Sequence, residues 1–480
     1  MDVPQMKMTT EIPASILTPD SVETRLGTLQ FFDGFPDEET VRKVYDYLDF
    51  QRAVQVFLTA MPAASMSAIR SGLRAFCPDN QTVLIAETLL DSRSLVLTAN
   101  SETVYVTNWL DTHDGPLVME VPPRMLGTID DSWSRYVTDL GAPGPDRGRG
   151  GKYLLLPPGY AGDVPEGYFA IRCRTYGNVL FCRGFMEDGD PRPAVESIRA
   201  GFRTYPLAAA SDPPAMGFVQ MSGALIHAVF ASDASFFEQV AALVLDEPLE
   251  AVDPETRGLL ASIGIRKDAP FTPDARMQAI LAEAAAVGNA TARALAFSTR
   301  NRAAYLYPDG SWKEPWIGND YEFSPGGVLD LDARAGFFYP VFGITPAATV
   351  KMVGIGSQYV LCERDAAGRY LDGAKAYRLH LPPGIPVKNF WALTVYDPQT
   401  RSMLQTDQRF PAIGSQRPGI TANPDTSVDV YFGPEPPPEG EANWVQTMPG
   451  KGWFVMLRLY GPLEPWFDKS WRPGEIETVE

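Results

Sequence analysis

The sequence predicts a multidomain, mainly β protein with helical segments between its β regions, and three observations carry that expectation. At 480 residues the chain is too long for one compact core. Its 43 prolines and 41 glycines cut it into short segments that suit strands joined by turns. Short apolar runs, broken by Gly, Pro and Asp about every ten residues, fill two long stretches, with helical periodicity before and between them. The expected units are an N-terminal arm (1–24), a helical cover with a β-sandwich (25–205), a small all-helical subdomain (206–304) and a jelly-roll-like β-sandwich (305–480).

The cover begins at Asp37, a cap for a helix whose first turn carries Glu38 and Glu39, as the helix dipole favours. Pro62 predicts that this helix stops near Ala60 and that a second, short one follows over residues 64–76. The stretch from Thr103 to Leu110 alternates, with Val104, Val106 and Leu110 on one face and Thr103, Tyr105, Thr107 and Trp109 on the other. A Gly/Pro loop over residues 141–151 precedes the strand at Tyr153, and residues 192–203 read as a short helix. Tyr176-Gly177-Asn178-Val179 has the chemistry of a tight hairpin turn, which would set Cys173 opposite Cys182. Disulfide pairing and two half-buried thiols both remain open there, the thiols being favoured in a reducing compartment.

In the middle, Ser235 to Glu238 resembles a capping box, Asp253-Pro254 starts a helix ending at Gly264, and Thr272-Pro273 starts the longest helix. Later strands are expected over residues 349–355, 376–381, 389–396, 427–432 and 453–460. Trp391, Leu393 and Val395 share one face, as do Val428, Val430 and Phe432.

Charge and composition exclude several functions. With 41 basic and 59 acidic residues the net charge is -18, which repels phosphate backbones, so no nucleic-acid partner is expected. No apolar run reaches the length of a membrane span. The acidic start lacks a secretion-signal pattern, which points to a cytoplasmic protein or an exported chain trimmed of its signal. Four cysteines and three histidines, His113, His227 and His380, are too few and too scattered for a disulfide scaffold or a histidine-rich metal centre, so neither a metal nor a cofactor is expected. The segment from Arg364 to Gly373 has a loosely metal-loop spacing without the ligand pattern, and reads as a turn. Nucleophile-elbow, P-loop, dinucleotide and zinc-protease motifs are all missing.

Any chemistry must therefore rest on carboxylates, tyrosines and cationic side chains. The candidate catalytic residues are Glu102, Tyr105, Asp131 and Arg135; the candidate ligand-binding residues are Asn100, Trp133, Asp139, Lys351, Tyr359 and Arg401. An extended strand would place Asp131, Trp133, Arg135, Val137 and Asp139 on one face. A desolvated Glu102 would serve as a general base, and Arg401, grouped with Lys351, Tyr359 and Gln405, would clamp a carboxylate. A solvated ion-paired face, a hairpin loop and cross-domain salt bridges explain the same three groups structurally.

Several segments together resemble a bacterial family in which domain of unknown function 1254 precedes domain of unknown function 1214. They include Leu97-Thr98-Ala99-Asn100, Leu155-Leu156-Pro157-Pro158-Gly159-Tyr160, Val353-Gly354-Ile355-Gly356-Ser357-Gln358-Tyr359, Arg401-Ser402-Met403-Leu404-Gln405 and the aromatic tail from Pro465 to Trp471. The resemblance covers about residues 25–480 and implies an immunoglobulin-like β domain, a small helical domain and a jelly-roll-like β domain. It implies no defined activity. The expected function is an enzyme acting on a small, partly apolar organic molecule in an interdomain pocket, by carboxylate and tyrosine acid–base chemistry in hydrolysis, elimination or isomerisation. The alternative is a non-catalytic protein binding a sugar- or lipid-like ligand, and a homo-oligomer gripped through the C-terminal tail is a third expectation.

Overall fold

The computed structural model describes residues 6–438 and 440–479. A small antiparallel sheet of β1 (Ser21–Thr24), β2 (Gly27–Phe32) and β3 (Phe35–Pro36) leads into α1 (Glu38–Arg74). Asp37 caps α1, accepting from the Thr40 amide at 2.7 Å. The helix does not stop at Pro62 but runs through it. An interior proline costs about 3 kcal/mol or more, and here the surroundings offset it. The flanking turns are buried, Arg334 Nη1 donates to the Thr59 carbonyl at 3.0 Å, and Ser134 Oγ donates to the Pro62 carbonyl at 3.3 Å.

The first sandwich comprises β4 (Thr82–Ile85), β5 (Thr103–Asp111), β6 (Leu117–Val121), β7 (Met125–Asp131), β8 (Tyr136–Gly141), β9 (Gly151–Leu156), β10 (Phe169–Arg172) and β11 (Gly177–Phe185). After α2 (Arg192–Gly201) it is completed by β12 (Arg203–Pro206) and β13 (Gly217–Gln220). One sheet runs β13-β4-β5-β11-β7-β8 and the other β10-β9-β6-β12. Val104, Val106 and Leu110 face the interior between them, while Tyr105 and Trp109 face the opposite way, as the alternation predicts.

The hairpin expected at Gly177 does not form. β10 pairs in parallel with β9 in one sheet, whereas β11 sits centrally in the other between β5 and β7. Residues 173–176 carry the chain from sheet to sheet, so the Cys173–Cys182 register disappears, and both residues are buried free thiols. Parallel pairing wins because β11 gains two long partners at the centre of the six-stranded sheet.

The middle helices are α3 (Ser235–Asp246), α4 (Pro254–Ser262) and α5 (Ala275–Phe297), followed by α6 (Leu331–Phe338) and the short α7 (Pro346–Thr349). The start of α3 is held by Asp233, which accepts from the Ser235 amide and hydroxyl, rather than by a Ser235 cap. These helices share one core with α1, which is longer than α5. Gly288 lets α5 approach α1 closely, since a Cβ there would lie 2.7 Å from the Phe57 ring.

The last region holds β14 (Ser357–Cys362), β15 (Tyr377–Leu381), β16 (Val387–Tyr396), β17 (Ala412–Gly414), β18 (Val428–Gly433), β19 (Trp444–Gln446) and β20 (Phe454–Pro462), then α8 (Glu464–Phe467) and β21 (Ile476–Thr478). The strand expected over 349–355 is instead the end of α7 and a turn, because Pro346 starts a helix that Thr345 caps. Sheets β14-β20-β16-β17 and β19-β18-β15-β21 enclose a core that includes Trp391, Leu393, Val395, Val428, Val430 and Phe432. Trp466 and Trp471 are buried in that same core, and β21 pairs with β15, so the tail's aromatic rings are committed to their own chain. The molecule is multidomain and mainly β.

Among the described residues no helix is long and apolar enough to cross a membrane, and no group of His, Cys, Asp and Glu could hold a metal ion.

Candidate functional site

β5 and β20 are buried on both faces, apart from the last residue of β5. On β20, Val455, Leu457 and Leu459 fill the C-terminal core, so alternation turns Phe454, Met456, Arg458 and Tyr460 the other way. They meet the outward face of the six-stranded sheet, where Tyr105 on β5 and Arg183 on β11 are opposite each other. Between the two sheets lies a cleft of about 110 Å³. Leu97, Phe181, Trp316, Val341, Phe342 and Met456 supply its apolar wall.

One end of the cleft is cationic. Arg183 Nη2 approaches the Tyr359 hydroxyl at 3.4 Å and its guanidinium lies 5.8 Å from the Tyr460 ring centre. Arg458 is held between Tyr359 and Tyr396, 5.9 and 5.6 Å from their ring centres, and donates to Thr394 Oγ1 at 3.0 Å and to the Thr98 carbonyl at 2.5 Å. Among the described residues, neither arginine has a carboxylate within ion-pair distance. Arg183 and Tyr359 are half-buried although protein surrounds them, which is consistent with accessible surface along the cleft they line. Ser357, two residues before Tyr359, is 3 % exposed and its hydroxyl has no hydrogen-bond partner of adequate geometry.

The tyrosines there diverge. Burial raises Tyr105, Tyr396 and Tyr460 above the ordinary phenol range. Burial acts on Tyr359 in the same direction, yet Arg183, the adjacent Ser357 hydroxyl and Arg458 together outweigh it and hold this phenol below the ordinary range.

Asn100 ties the tyrosines together. Its side-chain amide donates to the Tyr105 hydroxyl at 2.8 Å and to the Tyr460 hydroxyl at 3.1 Å. Thr98 has φ 39°, unusual for a β-branched residue. Its carbonyl accepts from Arg458 and its amide donates to the Arg401 carbonyl at 2.8 Å, while the Tyr396 hydroxyl donates to the next carbonyl, of Ala99, at 2.6 Å.

Asp139 lines the cleft on β8, two strands from Arg183, or about 10 Å at the usual strand spacing. Burial pushes its carboxyl up to about 6, although the Thr345 hydroxyl donates to it at 2.5 Å. Neighbouring Asp130, fully enclosed and accepting from the Ile344 amide at 2.8 Å, is pushed up to about 8 by burial.

Four of the residues singled out from the sequence therefore line one cleft: Asn100, Tyr105, Asp139 and Tyr359. Glu102 lies beside it. Ser101 donates to its carboxylate through amide and hydroxyl at 3.2 and 3.0 Å, and burial raises its pKa against the opposing effect of Arg458. Its accessible edge faces a different groove, lined by Arg409, Phe410 and Arg417.

Asp131, Trp133 and Arg135 do not share a strand face with Asp139, because the chain turns between β7 and β8 with Ser134 at φ 52°. Asp131 locks this turn, accepting from the amides of Trp133 and Arg135 at 2.9 and 3.0 Å and from Arg135 Nε at 2.8 Å. Trp133 borders a separate cavity among α3 and α4. Lys351 pairs with Glu464 on the surface. Arg401 is buried against Tyr339 and Phe230 and donates to the Gln399 carbonyl at 2.8 Å. Sequence reasoning missed Arg183, Arg458, Ser357 and Tyr460. The available signal was a guanidinium inside each of two otherwise apolar strands.

Residues 80–206 match the family described as protein of unknown function DUF1254, and residues 356–464 match protein of unknown function DUF1214. The chain belongs to the family in which these two domains follow one another. The cleft is thus formed where the outer sheet face of the 1254 domain meets that of the 1214 domain, with residues 315–316 and 341–348 from the intervening segment closing it. A crystal structure of a Vibrio parahaemolyticus protein, 18% identical, aligns over 90% of this chain and 100% of its own, with a TM-score of 0.53, and so shares the fold. An uncharacterised Burkholderia cenocepacia protein, 13% identical over 91% of this chain and 96% of its own, gives a TM-score of 0.41. No curated protein matches the chain.

Proposed function

We propose that this 1254–1214 protein is an enzyme that moves a proton on a small, partly apolar organic molecule, with Tyr359 and Asp139 as its acid–base groups. The observation that supports this reading best is the pairing of Tyr359 with two guanidiniums that have no carboxylate partner, at the edge of a cleft bounded elsewhere by apolar side chains. Guanidinium charge favours the phenolate, making Tyr359 a proton acceptor and, once protonated, a donor. Asp139, held at about 6, changes protonation near neutral pH about 10 Å across the sheet from Arg183. Two proton-transfer groups flanking one small cavity suit isomerisation or elimination better than hydrolysis. Tyr105 and Asn100 position the neighbouring hydroxyls, and Glu102 tunes Arg458 from behind.

The reading extends to the two sandwiches. Two facing sheets with crossovers between them fit an immunoglobulin-like first sandwich and a jelly-roll-like last one.

The test is consumption of small organic acids, alcohols and amides from defined mixtures, followed by NMR, with wild type and Tyr359→Phe. Consumption by wild type that Tyr359→Phe loses by at least about a hundredfold, the scale of general acid–base catalysis, is expected. Binding without any consumption would favour a non-catalytic ligand-binding protein instead.

A further inference from the structure

The charge inside the cleft restricts what can occupy it. Arg183 on β11 and Arg458 on β20 bring two guanidiniums, and among the described residues no carboxylate lies within ion-pair distance of either. The titratable groups facing them are Tyr105 from β5, Tyr359 from β14, Tyr396 from β16, Tyr460 from β20 itself, and Glu102 just before β5. Burial drives Glu102 toward its neutral form, and Asp139 lies two strands away from Arg183. An enclosed cation without a counter-ion is costly, and such charges are normally paired. Ser357 adds a buried hydroxyl beside Tyr359, close enough to favour its phenolate yet without a well-formed hydrogen bond. Three donor groups thus converge where, among the described residues, the nearest carboxylate, Glu102, lies outside ion-pair distance.

Volume and lining fix the rest of the ligand. A cavity of about 150 Å³ accommodates benzene, so one of about 110 Å³ suits an apolar part smaller than a benzene ring. Beyond the cationic end the wall is Phe181, Trp316, Val341 and Phe342, which favours a short unbranched apolar tail over a second charged group.

We propose that the cleft binds a small monocarboxylate, its carboxylate received by Arg183, Arg458 and Ser357 and its short apolar tail lying against Phe181, Trp316 and Phe342. The assignment rests on the reading of this cleft as the functional site and adds the class of ligand. It distinguishes a carboxylate with a tail from a bare inorganic anion, which would satisfy the charge and leave the apolar wall unfilled.

Isothermal titration of the full chain with propionate, butyrate, butyramide and inorganic phosphate tests it. The acids are expected to bind at least tenfold more tightly than the amide or phosphate, and Arg183→Met is expected to weaken the acids at least tenfold while leaving the amide unchanged. Ser357→Ala, which removes the hydroxyl and adds no bulk, carries the same expectation if Arg183→Met does not fold. Equal affinity for acid and amide, or acid binding indifferent to both substitutions, would overturn the assignment. Phosphate binding as tightly as butyrate would overturn the role of the apolar wall. The outcome separates from that of the catalytic reading: Tyr359-dependent consumption of neutral compounds with no carboxylate binding sinks only the ligand class, and carboxylate binding with no turnover sinks only catalysis.

Discussion

Replacing Asp139 with asparagine should make the protein more stable at neutral pH while removing the proposed proton transfer. Asp139 is 4 % exposed, and burial raises its carboxyl from the usual 3.8 to about 6. Its folded-state pKa lies above its unfolded one, so the contribution of this group to stability is fully present below about 3.8 and is lost as pH rises through about 6. The interval is about 2 units at about 1.4 kcal/mol each, or about 3 kcal/mol. Asparagine does not ionise and keeps an acceptor for the Thr345 hydroxyl, although its amide replaces the second carboxylate oxygen. At pH 7.5 Asp139→Asn should therefore be about 1–3 kcal/mol more stable than wild type, an advantage that shrinks or reverses at pH 4. Urea denaturation of both proteins at the two pH values measures this. Asp130, pushed up to about 8, titrates in both and largely cancels in the difference. A difference that does not change with pH would refute the reasoning, and a variant that keeps full activity would remove Asp139 from the chemistry.

Other expectations follow from the residues outside the cleft. Asp131→Ala strips an acceptor from the Trp133 and Arg135 amides; at about 1–3 kcal/mol for each buried group left unpaired, it should cost about 2–6 kcal/mol in chemical denaturation and leave ligand binding per folded molecule unchanged. All four cysteines are free, so unreduced, denatured protein should react with four equivalents of a thiol reagent, and reductant should not shift its melting temperature. Trp471 is 6 % exposed in the C-terminal core; Trp471→Ala should lower stability by about 3–5 kcal/mol with no change of oligomeric state in light scattering.

Periodicity located most of the strands and their buried faces because a half-buried or two-sided strand writes its pattern locally. It gave the two faces of β5 correctly and the shared face of Trp391, Leu393 and Val395. It failed where tertiary contacts override local rules. Pro62 stays helical within turns packed into the core, with Arg334, hundreds of residues away, donating to the nearby Thr59 carbonyl. Gly177-Asn178 has turn chemistry, yet β11 is drawn into the centre of a sheet by β5 and β7. At the site, Asn100, Tyr105, Asp139 and Tyr359 were legible as polar residues beside apolar strands. Their convergence was not, because it depends on two sheets meeting by their outer faces. Arg183 and Arg458 were legible only as guanidiniums embedded in apolar strands, a signal that acquires meaning when both point into one cleft. The aromatic tail lies beyond the segment that matches the 1214 domain, and its tryptophans are buried in the C-terminal core.

The account turns on Tyr359 being unlike the other tyrosines among the 19 in the chain. NMR of the protein labelled with carbon-13 at the tyrosine ring, titrated through alkaline pH with Tyr359→Phe to assign the signal, measures this directly. One tyrosine, absent from the variant, should ionise below the ordinary phenol range while Tyr105, Tyr396 and Tyr460 resist ionisation. Saturating butyrate should then raise that tyrosine's pKa, because the carboxylate takes up the guanidinium charge that favoured the phenolate. If the Tyr359 signal ionises at or above the ordinary phenol value and ignores butyrate, the cleft is not the charged acid–base site proposed above.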